Sequence, residues 1–157
     1  MLEMYIPSDG DIFNLPLENE AVCVTTNGIV KPNGHAVMGK GIALDANKKF
    51  NLSFRLGTFL TQYGNRAFNL GKYINPQNNA LFTIFSFPTK HDWRYNSDIE
   101  LIKKSAKELM EMCDKFGVNK CYLTPPGCSC GKLDYDNTVK PVLSEILDNR
   151  FVVVIRK

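Results

Sequence analysis

The chain has 157 residues, 44% of them hydrophobic and 22% charged, with a formal net charge of +3. That length suits one domain with a core of its own, and the charge is too small to argue nucleic-acid binding by itself. No apolar run approaches a membrane span, and the first seven residues lack the basic and long apolar regions of a signal peptide.

Residues 3–7 read as a first strand, followed by the turn Pro7-Ser8-Asp9-Gly10-Asp11. The apolar run at 21–26 predicts a buried second strand, leading into a glycine-bearing loop over 27–41. Ile42, Ala43, Ala46 and Phe50 then recur at helical spacing. Residues 51–64 predict a second helical segment, and 75–79 a turn. The aromatic and β-branched content of 80–87 predicts another strand. Ser97-Asp98-Ile99-Glu100 has the form of a capping box. It opens a helix whose apolar stripe runs Ile99, Ile102, Ala106, Leu109, Cys113, Phe116, and Gly117 ends it. A strand over 118–123 follows, then a helix from about Thr138 to Leu147. Pro141 is tolerable there only in the first turn, where N–H groups lack partners anyway. The wholly apolar 151–155 predicts a closing strand buried on both faces. Strands alternating with helices imply an α/β domain with helices on both faces of a mixed sheet.

Five cysteines are present, an odd number. Cys23, Cys113 and Cys121 sit in apolar periodic segments and read as buried thiols. With no secretion signal, a reducing, cytoplasmic setting is expected. Cys128-Ser129-Cys130 lacks the further ligands a closed zinc site requires, so no metal is expected. A catalytic role for Cys128 or Cys130 needs a nearby histidine, and no sequence rule places His35 or His91 beside them.

In an α/β sheet, ligands gather at the carboxyl ends of the strands. Three loops fall at such ends: 27–41, 87–96 and 124–135. In the first, Gly39 and Gly41 allow close backbone approach, and the helix start that follows favours an anion. The spacing fits neither the dinucleotide fingerprint nor the P-loop. The plainer alternative is a glycine turn that merely starts a helix. In the second, Lys90 is held by a proline-stiffened turn and suits a nucleophile, an electrophilic helper or a phosphate clamp. A solvated surface lysine is the commoner fate of that residue type. In the third, Gly127 and Gly131 flank amides able to wrap a diphosphate. Lys31, Lys40, Lys48, Lys49, Lys90, Arg94 and Lys132 fall in or beside this edge, where a nucleic-acid phosphate is a candidate partner.

Taken together, these ordered motifs resemble the macrodomain family, ADP-ribose-binding α/β/α modules, over nearly the whole chain. Gly10-Asp11-Ile12, Thr26-Asn27, Val37-Met38-Gly39-Lys40-Gly41-Ile42-Ala43, Phe87-Pro88-Thr89-Lys90 with Trp93-Arg94, and Gly127-Cys128-Ser129-Cys130-Gly131-Lys132-Leu133-Asp134-Tyr135 carry the likeness. It is greatest to the branch of DNA ADP-ribosyl glycohydrolase antitoxins and terminal ADP-ribose glycohydrolases. Small stand-alone macrodomains of bacteria and phages are also similar.

The resemblance implies a single macrodomain over residues 1–157, and a cytoplasmic monomer without cofactor or membrane attachment is expected. It implies Asp11 and Ile12 at the adenine, and Asn27 and Gly41 at the distal ribose. The diphosphate would lie against Gly39, Lys40, Ile42 and Ala43 and against Gly127, Cys128, Ser129, Cys130 and Gly131. Thr89 joins the ligand contacts, and Lys90 is the catalytic residue. The implied function is hydrolysis of ADP-ribosyl linkages on DNA or protein. The alternatives are a phosphatase on ADP-ribose 1″-phosphate, an esterase on acylated ADP-ribose, and a non-catalytic reader. Two departures stand out. Gly131 occupies the position of the aspartate that partners the lysine in one glycohydrolase of the family, and Ser129 and Cys130 replace Gly and Leu.

Overall fold

The computed structural model describes residues Met1–Lys157. Six strands form one sheet in the order β1-β6-β5-β2-β4-β3. They are β1 (Leu2–Ile6), β2 (Ala21–Asn27), β3 (Asn69–Ile74), β4 (Leu81–Lys90), β5 (Cys121–Leu123) and β6 (Phe151–Arg156). All neighbouring pairs are parallel except β3 with β4. The helices are α1 (Gly41–Phe50), α2 (Ser53–Tyr63), α3 (Ile99–Phe116) and α4 (Lys140–Ile146). No helix is long and apolar enough to cross a membrane.

Period-two alternation along the central strands sends side chains to two cores. Val22 and Val24, Phe82 and Ile84, and Val152 and Val154 pack with Ala46 of α1 and Leu56 and Leu60 of α2. Ala21 and Cys23, Phe85 and Phe87, and Phe151 and Val153 pack with Ile102, Ala106, Leu109 and Cys113 of α3 and Leu143 of α4. Both faces are therefore covered, as a mostly parallel sheet requires. The Cys23 and Cys121 sulfurs lie 3.1 Å apart as free thiols in the second core. Burial drives the Cys121 thiol well above its ordinary range.

Four features depart from the sequence expectation. β3, an edge strand, is not anticipated: Asn69, Gly71 and Lys72 dilute its pattern, because it pairs on one side only. β4 runs on through Pro88 and Thr89, so Lys90 is the last residue of a strand instead of part of a loop. The cap of α3 is Asp98, whose carboxylate accepts from the Glu100 N–H at 2.9 Å, and not Ser97. The last helix starts with a π turn over Tyr135–Val139, and the α-helix begins only at Lys140, with Pro141 in its first turn.

Candidate functional site

A cleft of about 1000 Å³ opens along the carboxyl edge of the sheet. Its floor is the ends of β2 (Thr25, Thr26, Asn27), β4 (Thr89, Lys90) and β6 (Val154, Ile155, Arg156), with Thr124 and Pro125 just past β5. Its walls are residues 37–43 with Asp45, residues 93–97, and residues 127–132. The three loops singled out from the sequence converge here.

Asn27 organises the first wall. Its amide nitrogen donates to the Val37 carbonyl at 3.0 Å, and its Oδ1 accepts from the Ile29 N–H at 3.0 Å. The loop is also tied to α2 through Ala36 N–H to the Ser53 carbonyl, 2.8 Å. It delivers α1 with its N-terminus at the cleft. Lys40 caps α1 in extended backbone, no side chain caps it, and no acidic residue lies in its first turn. The first N–H groups of α1 therefore lack side-chain partners and carry the positive end of the helix dipole. Gly41, at φ +58°, takes the left-handed conformation that this entry needs.

The opposite wall is held by a second set of bonds. Leu133 N–H reaches the Gly127 carbonyl at 2.9 Å, and Ser97 N–H reaches the Gly131 carbonyl at 3.0 Å. Packing at Gly131 leaves no space for a larger residue: a Cβ there would lie 2.0 Å from Ser97 Oγ and 2.5 Å from the Gly127 oxygen. The hydroxyls of Thr26 and Ser97, both lining the cleft, are buried without hydrogen-bond partners. Buried polar atoms are rarely left so, and a ligand in the cleft is one way to satisfy them.

Lys90 bridges two walls. Its Nζ donates to the Cys130 carbonyl at 3.1 Å and reaches the Trp93 carbonyl at 3.5 Å. Lys90 is only half-buried. The adjoining turn is closed by side-chain hydrogen bonds. The Asp92 carboxylate accepts from Arg94 through the backbone N–H and Nε, both at 3.0 Å, and through Nη2 at 2.5 Å. The Arg94 hydrogen bonds hold the Asp92 carboxyl down at about 2. His91 Nε2 lies 2.8 Å from Asp98 Oδ2, and that bond lowers the Asp98 carboxyl.

Of the ligand contacts expected from the sequence, Asn27, Gly39, Lys40, Gly41, Ile42, Ala43, Thr89, Lys90, Gly127, Cys128, Ser129, Cys130 and Gly131 all line the cleft. Asp11 and Ile12 do not. Ile12 is buried, and the Asp11 carboxylate is occupied twice. It accepts from the Phe13 N–H at 2.9 Å and pairs with Lys49 at 2.9 Å. Of the basic residues grouped with this edge, Lys40, Lys90, Arg94 and Lys132 line the cleft, whereas Lys31, Lys48 and Lys49 do not. No Cys–His pair exists here. Neither histidine lines the cleft, and His35 instead bonds Ser53 Oγ at 2.9 Å. Burial pushes the Cys128 thiol up to about 11.

Sequence reading overlooked Tyr95, Asn96, Ser97, Thr124, Pro125 and Val154–Arg156 as cleft residues. The strand-end rule signals the last three, since β6 is parallel to its neighbours and ends at the same edge. Tyr95 and Asn96 carried no signal beyond sitting in a strand-end loop.

The mixed sheet, its two helical layers and the cleft at the strand ends make up the macrodomain fold. The macrodomain of Thermus aquaticus DarG matches at 26% identity with a TM-score of 0.72, covering 99% of each chain. The macrodomain of Mycobacterium tuberculosis DarG matches at 24% identity with a TM-score of 0.70, again over 99% of each. Thermosipho africanus DarTG in complex with ADP-ribose matches at 18% identity with a TM-score of 0.72, over 98% of this chain and 41% of that one. In sequence, the chain is 27% identical over 145 residues to a DNA ADP-ribosyl glycohydrolase of Thermus aquaticus (strain ATCC BAA-2747 / Y51MC23), covering 88% of this chain. It spans about a third of that curated relative's length, 36%. No protein-family model matches the chain.

Proposed function

We propose that this chain binds ADP-ribose along the cleft and hydrolyses the bond joining C1″ of its distal ribose to DNA. The observation that carries this reading is the position of Lys90. Its Nζ sits between the wall at residues 127–132 and the turn after β4, in a cleft that the uncapped start of α1 also lines. The helix start and the amides of residues 127–131 suit a diphosphate. An ammonium nitrogen has three N–H bonds, and Cys130 and Trp93 take two. The third is free to reach the atom leaving C1″. As the C1″ bond breaks, Lys90 gives a proton to the leaving atom, water adds its oxygen to C1″, and the proton released by that water restores the ammonium. DNA is preferred as the carrier because the Thermus aquaticus relative is named for that activity. Four further cations, Lys40, Arg94, Lys132 and Arg156, line the cleft against one carboxylate, Asp45.

A reader that binds ADP-ribose without turnover is the second reading. It is favoured by Gly131, which puts no carboxylate beside Lys90. The cleft is complete within one chain, which supports a monomer, and five free thiols suit a reducing cytoplasm. The bacterial sources of the relatives support a bacterial or phage origin.

Calorimetric titration with ADP-ribose against ATP, NAD and ADP tests the ligand class. Release of ADP-ribose from a modified oligonucleotide tests the reaction. Selective binding with release establishes the hydrolase, binding without release leaves the reader, and absence of ADP-ribose binding overturns both.

A further inference from the structure

We propose that Trp93 and Tyr95 form a stacking platform for an unpaired nucleobase adjoining the modified nucleotide. This makes them specificity residues for an oligonucleotide substrate, and it rests on the reading above for what occupies the cleft. Both rings line the cleft wall and both are exposed, Trp93 by 50% and Tyr95 by 67%. Large exposed aromatics are unfavourable in water unless something covers them. Other exposed rings exist on this chain, but these two are the ones at the cleft.

The backbone beneath them is fixed before any ligand arrives. Arg94, between the two rings, is clamped by the buried Asp92, and Tyr95 N–H bonds the Asp92 carbonyl at 3.1 Å. The Trp93 carbonyl faces Lys90 Nζ, so the platform starts beside the reacting carbon. The Arg94 guanidinium stays 61% exposed in its side chain and lies 6.0 Å from the Tyr95 ring centroid. Aromatic faces interleaved with a cation, on the rim of a cleft with five cations and one acid, match the chemistry of a single strand. Bases stack and phosphates meet positive charge. In a duplex the neighbouring base is already stacked, so its face is unavailable to these rings.

Trp93 is the only tryptophan of the chain, and its emission therefore reports on the platform directly. Titration with an unmodified oligothymidylate should quench that emission, and a duplex of equal length should quench it far less. In Tyr95→Ser the oligonucleotide affinity read this way should fall at least about fivefold, the lower end for loss of one base–aromatic stack. With modified substrates, the quantity to follow is kcat/KM on an ADP-ribosylated pentanucleotide divided by kcat/KM on the ADP-ribosylated mononucleoside. It should exceed about five in the unaltered protein and approach one in Tyr95→Ser and Trp93→Ala, with Trp93→Phe restoring much of it. Equal quenching by duplex and single strand, no quenching by either, or a ratio near one in the unaltered protein overturns the platform. So does quenching by an ADP-ribosylated peptide but not by the oligonucleotide, which assigns the rings to a protein carrier. Because the quenching needs no ADP-ribose, failure of the platform stays distinguishable from failure of the hydrolase reading.

Discussion

Asn27 and Lys90 are register partners at the open ends of adjacent parallel strands, although β4 spends one more residue than β2 in getting there. Thr26 is opposite Pro88, and the next pair is Asn27 opposite Lys90, with Thr89 the extra residue. Such an irregularity re-aims a side chain next to a site. Here it brings Lys90 level with Asn27, whose own amide is committed to holding the loop that leads to α1. Asn65 fixes the other side of the turn, donating to the Lys90 carbonyl at 3.0 Å. The chemistry proposed above depends on Lys90 being held at that level.

Replacing Lys90 with Ala should therefore lower kcat on ADP-ribosylated DNA by at least about a hundredfold, the scale of a lost proton donor. The ADP-ribose Kd should change by less than about tenfold, that is by under ~1.4 kcal/mol. Single-turnover kinetics beside calorimetry separate the two. A Lys90→Ala protein that turns over normally would remove the lysine from the mechanism.

Two glycines of the cleft should respond differently to the same methyl group. A Cβ on Gly39 meets nothing within 4 Å, so Gly39→Ala should leave the melting temperature unchanged and weaken ADP-ribose binding by crowding the ligand. A Cβ on Gly131 would collide with Ser97 Oγ and the Gly127 oxygen. Gly131→Ala should lower stability by about 1–3 kcal/mol, as overpacking does, and weaken binding too. Thermal melts with and without ADP-ribose read both. Equal effects from the two variants would contradict this account.

Lys49 competes for Asp11. The pair is partly exposed, with side chains 41% and 27% accessible, and such pairs contribute about 0.2–1 kcal/mol. If the Asp11 carboxylate meets the adenine amino group, freeing it by Lys49→Ala should tighten ADP-ribose binding by up to about fivefold. Asp11→Ala should weaken it. ADP-ribose compared with ribose 5-phosphate in the same titrations isolates the adenine contribution, and an affinity insensitive to Asp11 would place the adenine elsewhere.

The turn bearing Trp93 should be indifferent to pH across the neutral range and fail only in acid. Arg94 holds the Asp92 carboxyl at about 2 in the folded chain, against about 3.9 when unfolded. A depressed carboxyl stabilises the fold above its unfolded value, and that contribution is lost as pH falls from about 4 through about 2. Tryptophan emission should stay constant from pH 8 to pH 5 and then shift in that acid window. Asp92→Asn should remove the pH dependence and show the shifted emission already at pH 7. A transition in the neutral range instead would contradict this account.

The amino-acid sequence by itself determined the layered α/β class and the ligand-bearing edge. Alternating apolar residues such as Val22–Val24 against Ala21–Cys23, and the spaced glycines of residues 39–41 and 127–131, act through local geometry that any reader of the chain can apply. Only the tertiary structure decided that Lys90 ends a strand and is held by Cys130, forty residues away. It also decided that Asp11 is engaged by Lys49, and that β6 contributes Arg156 to the cleft. Those facts are long-range pairings, set by strand register and by which loops meet across a gap. Neither register nor convergence is encoded in the periodicity of any single segment.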